Sequence, residues 1–289
     1  MALSSDWFSE ICRGSGTAFS LEIKEKLHEE QSLFQKIEIY DTATFGKLMI
    51  IDGCTMLSTR DNFIYHEMMS HPALYSHPDP QRIVIIGGGD CGTLHEVLKH
   101  PGVNEARLID IDERVTRLSE IYFPELCASN HDRRAIISFE DGIQWMKNAA
   151  PGSVDIIIVD STDPVGPAEG LFSRDFFIDC LSALQDNGII TQQSESPFLH
   201  MDIIKNMHHA MRDAGFNHVK TLNFPQCIYP SGWWSCTMAS RTNRLDDVRI
   251  KDINSRPFET QYYNADIHRA ALALPEFMNH ELRFGQAPD

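Results

Sequence analysis

Arg82-Ile83-Val84-Ile85-Ile86-Gly87-Gly88-Gly89-Asp90-Cys91-Gly92 is an apolar run that ends in a cluster of glycines. The residues before Gly87 have the composition of a buried strand, and Leu94, Val97 and Leu98 follow with the spacing of one helix face. Between a strand and a helix, the G-x-G-x-x-G pattern lets the backbone turn tightly and approach a ligand closely. The stretch therefore predicts a strand–loop–helix unit whose loop binds a ligand.

The alternation of predicted strands and helices continues after the glycine loop. Strands are predicted at 105–111, 135–139, 154–159, 189–191 and 233–239, the fourth preceded by a turn at Asp186-Asn187-Gly188, and helices at 113–122 and 201–214. Strands that alternate with helices indicate a parallel, doubly wound sheet of the α/β class.

The N-terminal part has a different pattern. Residues 19–23, 37–40 and 47–51 alternate apolar and polar side chains, which is typical of antiparallel strands with one solvated face. We therefore expect a small antiparallel β domain over residues 1–61. A helix at 62–76 then opens a Rossmann-like catalytic domain over residues 62–289.

Composition narrows the class of partner. The chain of 289 residues has 25 basic and 41 acidic residues, a net charge of −16, which disfavours nucleic acid or an anionic membrane and favours a cationic small molecule. The seven cysteines include no C-x-x-C pair and no metal-ligand spacing, as expected for reduced thiols in the cytoplasm. No apolar run is long enough to span a bilayer.

Carboxylates follow several of the predicted strands. Asp110 comes about 20 residues after the glycine loop, where a carboxylate commonly accepts hydrogen bonds from ribose hydroxyls. Asp90, inside the loop, would repel a pyrophosphate and attract an ammonium group. Asp141 precedes Gly142 and fits either an adenine contact or a helix cap, or both. Together these residues favour an adenosyl ligand with a cationic tail.

Two further carboxylates lie in the segment Asp160-Ser161-Thr162-Asp163-Pro164-Val165-Gly166-Pro167-Ala168-Glu169, directly after a predicted strand. Ligands of parallel α/β sheets bind at that edge. Since a carboxylate holds a cation or removes its proton, Asp160 and Asp163 point to chemistry on an amine.

The motifs resemble those of the polyamine aminopropyltransferases, and of the spermidine synthases in particular. The matching segments span nearly the whole chain: Tyr65-His66-Glu67-Met68, 85–90, Asp110-Ile111-Asp112, Asp141-Gly142, 160–169, Tyr229-Pro230-Ser231-Gly232 and 262–271. The resemblance implies a small N-terminal β domain on a methyltransferase-like Rossmann domain, usually as a homodimer or homotetramer. It implies transfer of an aminopropyl group from decarboxylated S-adenosylmethionine, as co-substrate, to a diamine such as putrescine. No separate cofactor and no metal are expected.

The resemblance also implies roles for single residues. Asp160 is the expected general base, and Tyr65 positions this base or the amine. The donor contacts are expected from Gln35, Gly87, Gly89, Asp90, Asp110, Asp141 and Gly142. The polyamine contacts are expected from His66, Asp163, Gln193 and Tyr229.

Some features leave alternatives open. Cys91 stands where the family usually has glycine, and either fits there or narrows the pocket. His66 is either a polyamine contact or a packed helix residue, and Trp233 and Trp234 either wall the polyamine channel or pack in the core. An S-adenosylmethionine-dependent methyltransferase is the competing function, although Asp90 would repel that donor's carboxylate. Cadaverine, agmatine and spermidine are alternative acceptors.

Overall fold

The computed structural model of the chain describes residues 6–164 and 166–283; Val165 of the segment 160–169 lies outside the described residues. The first part is an antiparallel sheet of five strands in the order β1-β2-β3-β4-β5. These strands are β1 Trp7–Cys12, β2 Thr17–Gln31, β3 Lys36–Thr42, β4 Lys47–Ile51 and β5 Cys54–Ser58.

The expectation of one solvated face is wrong for the central strands of this sheet. Ile39 and Met49 pack against Leu118 on one face, whereas Tyr40 and Leu48 belong to a second cluster on the other face. Both faces are buried because the larger part of the chain also covers this sheet.

The second sheet has seven strands in the order β11-β12-β10-β9-β6-β7-β8. The five strands from β10 to β8 in this order are parallel, whereas β11 and β12 are antiparallel to their neighbours. The strands are β6 Arg82–Gly87, β7 Glu105–Asp110, β8 Ala135–Phe139, β9 Val154–Asp160, β10 Leu184–Gln193, β11 His218–Pro225 and β12 Trp233–Ser240.

Helices cover both faces of this sheet, as the doubly wound prediction requires. They are α1 Asn62–Ser76, α2 Gly92–Leu98, α3 Glu113–Tyr122, α4 Gly142–Asn148, α5 Arg174–Ala183, α6 Met201–Ala214, α7 Ile250–Asn254, α8 Ala265–Leu272 and α9 Glu276–Arg283. One apolar core contains side chains of α1, α2 and α8, and a second, on the opposite face, contains those of α4, α5 and α6. None of the helices in the described ranges is long and apolar enough to cross a membrane.

The predicted turn at 186–188 lies within β10 instead. Leu184 pairs with Val154 and Ile189 with Ile156, so the register shifts between these two pairs. The extra residues of β10 form an irregularity that the parallel ladder accommodates, which is why a turn-like sequence is compatible with one strand here.

Candidate active site

A cavity of about 480 Å³ lies at the carboxyl ends of β6, β7 and β9, where the two sheets meet. The first sheet and its loops contribute Gln35, Met49 and Met56 to its wall. The predicted site residues that border the cavity are Gln35, Tyr65, Gly87, Gly89, Asp90, Asp110, Asp141, Gly142, Asp160, Asp163 and Tyr229. His66 and Gln193 do not line it.

The glycine loop lies directly against the end of β9. The Gly88 N–H donates to the Asp160 carbonyl oxygen at 2.7 Å. A Cβ atom on Gly87, whose φ is 80°, would come within 2.2 Å of the same oxygen. Glycine is therefore required here, because a larger residue would separate the loop from Asp160.

Cys91 has a φ of 70°, an unfavourable value for a residue with a side chain. Its buried thiol contacts the Gly89 carbonyl oxygen at 3.6 Å and belongs to the apolar core rather than to the cavity wall. The neighbouring Cys127 thiol and burial raise the pKa of Cys91. Cys91 therefore does not narrow the cavity, and its thiolate is disfavoured.

Asp160 receives hydrogen bonds from two hydroxyl groups. Tyr65 Oη donates to Oδ1 at 2.7 Å, and Thr93 Oγ1 donates to Oδ2 at 2.6 Å. Burial, followed by the Asp90 carboxylate, raises the pKa of Asp160, although both hydroxyl groups oppose this shift. A carboxylate with a raised pKa and a fixed orientation is suited to accept a proton.

The Asp90 carboxylate is fixed by contacts with two residues that do not line the cavity. His66 Nε2 lies 3.3 Å from each of its carboxylate oxygens, and the Gly92 N–H donates to Oδ1 at 2.7 Å. Burial raises the pKa of Asp90, but the His66 imidazole and the Gly92 N–H outweigh it, so the pKa lies below its usual range. Asp90 therefore stays ionised at the cavity wall.

The position of His66 differs from the expected polyamine contact. Its ring is 2% exposed and packs directly over Gly92, where a Cβ atom would come within 2.2 Å of Cε1. Burial lowers the pKa of His66, but the Asp90 carboxylate outweighs it and leaves the pKa raised. In this structure His66 supports Asp90 and does not border the cavity.

One end of the cavity is built around Asp110. Burial raises the pKa of Asp110 to about 6, and its Oδ1 accepts the Asp112 N–H at 2.8 Å. Asp112 in turn caps α3 and accepts hydrogen bonds from Gln35 Nε2 at 3.0 Å and from Ser32 Oγ at 2.6 Å. Asp112 was not among the predicted site residues, although it lies in the Asp110-Ile111-Asp112 segment. It joins the first sheet to the Asp110 end of the cavity.

Asp141 caps α4. Its Oδ1 accepts the N–H groups of Ile143 at 2.8 Å and Gln144 at 3.2 Å. Gly142 follows in close contact with Ile86, whose Cγ2 would lie 2.5 Å from an added Cβ atom. The cap interpretation is confirmed, and the other carboxylate oxygen remains available to a ligand.

The other end of the cavity contains Asp163 and Tyr229. Tyr229 Oη donates to the Met56 carbonyl oxygen at 2.6 Å, so its ring rather than its hydroxyl proton faces this region. Gln193 lies deeper, with Nε2 3.4 Å from both the Thr162 carbonyl oxygen and Glu195 Oε1. Glu195, which follows Gln193 by two residues, was not among the predicted site residues.

The two tryptophans pack in the protein rather than along the cavity. The Trp234 ring lies edge-on to Tyr229, with centroids 4.7 Å apart. Trp233 Nε1 donates to Asn223 Oδ1 at 3.1 Å, and the Trp233 ring packs on Phe277. The packing interpretation is therefore correct for both.

Comparison with known families gives two adjoining matches. Residues 62–248 match the spermine/spermidine synthase domain, and residues 6–59 match the spermidine synthase tetramerisation domain. The chain is 62% identical to the polyamine aminopropyltransferase of Thioalkalivibrio sulfidiphilus, covering 98% of this chain and 99% of that protein. It is 61% identical to that of Methylococcus capsulatus over the same shares of both chains.

Solved structures of spermidine synthases have the same fold as this chain. A crystal structure of a spermidine synthase in complex with the transition-state analogue AdoDATO has a TM-score of 0.93 at 32% identity, covering 98% of this chain and 97% of that one. The spermidine synthase of Thermotoga maritima has a TM-score of 0.91 at 32% identity, covering 96% and 94%. The chain belongs to the spermine/spermidine synthase family and is a polyamine aminopropyltransferase, which confirms the predicted family, fold class and enzyme class.

Proposed function

We propose that this enzyme is a spermidine synthase, which transfers the aminopropyl group of decarboxylated S-adenosylmethionine to putrescine. The observation that carries the proposal is the single cavity bordered by Asp110, Asp90, Asp160 and Asp163. This set supplies a ribose acceptor, two ammonium sites and a proton acceptor in one space. Such a set suits a cationic donor and a diamine.

The donor is assigned to the Asp110 end. Asp110 accepts hydrogen bonds from the ribose hydroxyls, and Asp141 accepts one from the adenine amino group. Gln35 borders the same cavity and is a further donor contact. Gly87 and Gly89 let the donor approach the backbone, and Asp90 holds the aminopropyl ammonium. The ionised state of Asp90 supports this last role, because a fixed and largely buried carboxylate attracts a cation more strongly than one in bulk water.

The acceptor is assigned to the Asp160–Asp163 side. Both amines of putrescine are protonated at neutral pH, since alkylamine pKa values lie near the lysine value of about 10.4. Asp163 receives the far ammonium, while Asp160 takes the proton from the attacking amine. The amine nitrogen bonds to the aminopropyl carbon as its bond to the sulfonium breaks, and methylthioadenosine leaves as a neutral thioether. Alignment of these three atoms contributes up to about 7–11 kcal/mol to lowering the barrier.

Assembly is assigned to the N-terminal sheet. A domain boundary at residue 61, with a homodimer or homotetramer formed through residues 1–61, is supported by the match of residues 6–59 to a tetramerisation domain. Within the described ranges β1 pairs only with β2, so its other edge is open to a further strand. Analytical ultracentrifugation of the full chain tests this assignment.

The activity test is a mass-spectrometric assay of decarboxylated S-adenosylmethionine with putrescine, cadaverine, agmatine or spermidine. We expect methylthioadenosine and spermidine, with putrescine as the best acceptor. A higher rate with another amine would contradict the acceptor assignment. Transfer of a methyl group from S-adenosylmethionine would favour the methyltransferase alternative instead.

A further inference from the structure

Behind Asp163 lies a second carboxylate that the proposed reaction does not use. Glu195 is 1% exposed and has a φ of 69°, a strained conformation for a residue with a side chain. Its N–H donates to Gln193 Oε1 at 3.2 Å, which fixes it just after the end of β10. A buried, strained carboxylate next to a binding cavity needs a charged partner.

That partner is His200, the residue that precedes α6. Its Nδ1 lies 2.9 Å from Glu195 Oε2, and within the described ranges no other donor contacts this oxygen. The contact is therefore an ion pair. The Glu195 carboxylate raises the pKa of His200 to about 9, so the imidazole is protonated at neutral pH. The Cys12 thiol of β1 contacts His200 from the N-terminal sheet.

The ion pair lies close to Asp163, because Gln193 Nε2 contacts both Glu195 Oε1 and the carbonyl oxygen of Thr162, the residue before Asp163. Burial and the Glu195 carboxylate raise the pKa of Asp163 to about 8; Glu10 adds to this shift, and His200 opposes it. With Asp163 and Glu195 ionised and His200 protonated, these three residues carry one net negative charge. That charge matches one ammonium group.

We propose that His200 is a positioning residue for the acceptor: its imidazolium pairs with the buried Glu195, offsets the negative charge that Glu195 places beside Asp163, and so keeps Asp163 available as the carboxylate that receives the far ammonium of the diamine. The inference rests on the proposed function, which assigns Asp163 to that ammonium. Without the His200 imidazolium, Asp163 retains its proton to higher pH. A doubly charged acceptor then loses its advantage in kcat/KM over a singly charged one.

The test compares putrescine with n-butylamine, which lacks the far ammonium. In the unaltered enzyme, the ratio of the two kcat/KM values should rise with pH through about 8, the pKa of Asp163. His200 contacts Glu195 rather than Asp163, so its imidazolium acts on Asp163 only through its charge, which shifts a carboxyl pKa by up to about one unit. His200→Gln should therefore move the midpoint of this ratio up by about one pH unit and lower the ratio at pH 7 about tenfold.

His200→Lys, which restores a cation, should return the ratio and its midpoint towards the original values. Cys12→Ser is the matched control, because it changes the other neighbour of His200 without removing a charge. If His200→Gln lowers both kcat/KM values equally and leaves the midpoint in place, His200 is structural and the inference is wrong. If the unaltered enzyme forms no methylthioadenosine with putrescine, the proposed function itself fails.

Discussion

Tyr65 Oη donates to Asp160 Oδ1 at 2.7 Å, which connects the buried helix α1 to the end of β9. Thr93 Oγ1 holds the other carboxylate oxygen at 2.6 Å. Each oxygen retains a second lone pair, so Asp160 can accept a further proton without losing its supports. This geometry suits a base whose orientation is set before substrate arrives.

Asp160→Asn should nearly abolish turnover. The amide keeps the size of the side chain but does not accept a proton, and loss of a general base costs about 100- to 10,000-fold in kcat. Steady-state kinetics measures the loss, and calorimetric titration with methylthioadenosine should show donor-side binding close to that of the unaltered enzyme. Unchanged turnover would rule out Asp160 as the base.

Tyr65→Phe should lower kcat about tenfold, in the range of one lost charge-assisted hydrogen bond. Because the Tyr65 hydroxyl lowers the pKa of Asp160, its removal raises that pKa further. The rise of kcat with pH should therefore shift to higher pH. Thr93→Val removes the other hydroxyl donor and should shift the pH profile in the same direction. An unchanged pH dependence of kcat in both variants would mean that the two hydroxyls do not alter the pKa of Asp160.

Most of the site can be located from the sequence because the topology of a parallel sheet determines where its strands end. Asp110, Asp141 and Asp160 follow three different strands, and parallel strands bring their carboxyl ends to one edge. The glycine pattern then identifies which strand carries the loop. This part of the site follows from strand order and needs no knowledge of side-chain packing.

The rest depends on packing that no local pattern encodes. His66 lies behind Asp90 because α1 crosses directly over Gly92, a contact between residues 26 positions apart in the chain. Glu195, two residues after the end of β10, meets His200 with a backbone of positive φ. The two buried faces of β3 and β4 likewise reflect contacts with distant residues such as Leu118.

Asp90→Asn should weaken the decarboxylated donor far more than methylthioadenosine. Only the donor carries an ammonium group for Asp90 to hold, and a buried charge-assisted hydrogen bond contributes about 1.5–3 kcal/mol, or about 10- to 150-fold in affinity. Calorimetric titration with each ligand measures the difference. Equal weakening of both ligands would assign Asp90 a structural role instead.

Gly89→Ala should reduce donor affinity without unfolding the protein. The added Cβ atom would lie 2.8 Å from Asp110 Oδ2 and 3.1 Å from Val115 Cγ1, so the Asp110 side chain must move. Gly152→Ala is the control, because its surroundings are open, although its positive φ makes alanine mildly unfavourable. Thermal unfolding with and without methylthioadenosine separates the two effects. A ligand-induced shift as large as in the unaltered enzyme would contradict the prediction.

His208→Gln should make the protein less sensitive to acid. His208 is buried on α6 with Nε2 2.7 Å from Thr221 Oγ1, and burial, followed by Arg212, lowers its pKa to about 3. The unfolded chain protonates this residue below about pH 6.5, whereas the folded protein does not until about pH 3. Stability that is fully present above pH 6.5 is therefore lost as the pH falls, by about 1.4 kcal/mol per pH unit. Urea denaturation at pH 7 and pH 5 should show a pH-dependent loss about 2 kcal/mol smaller in His208→Gln. An identical loss in both proteins would mean that His208 titrates in the folded state as it does in the unfolded chain.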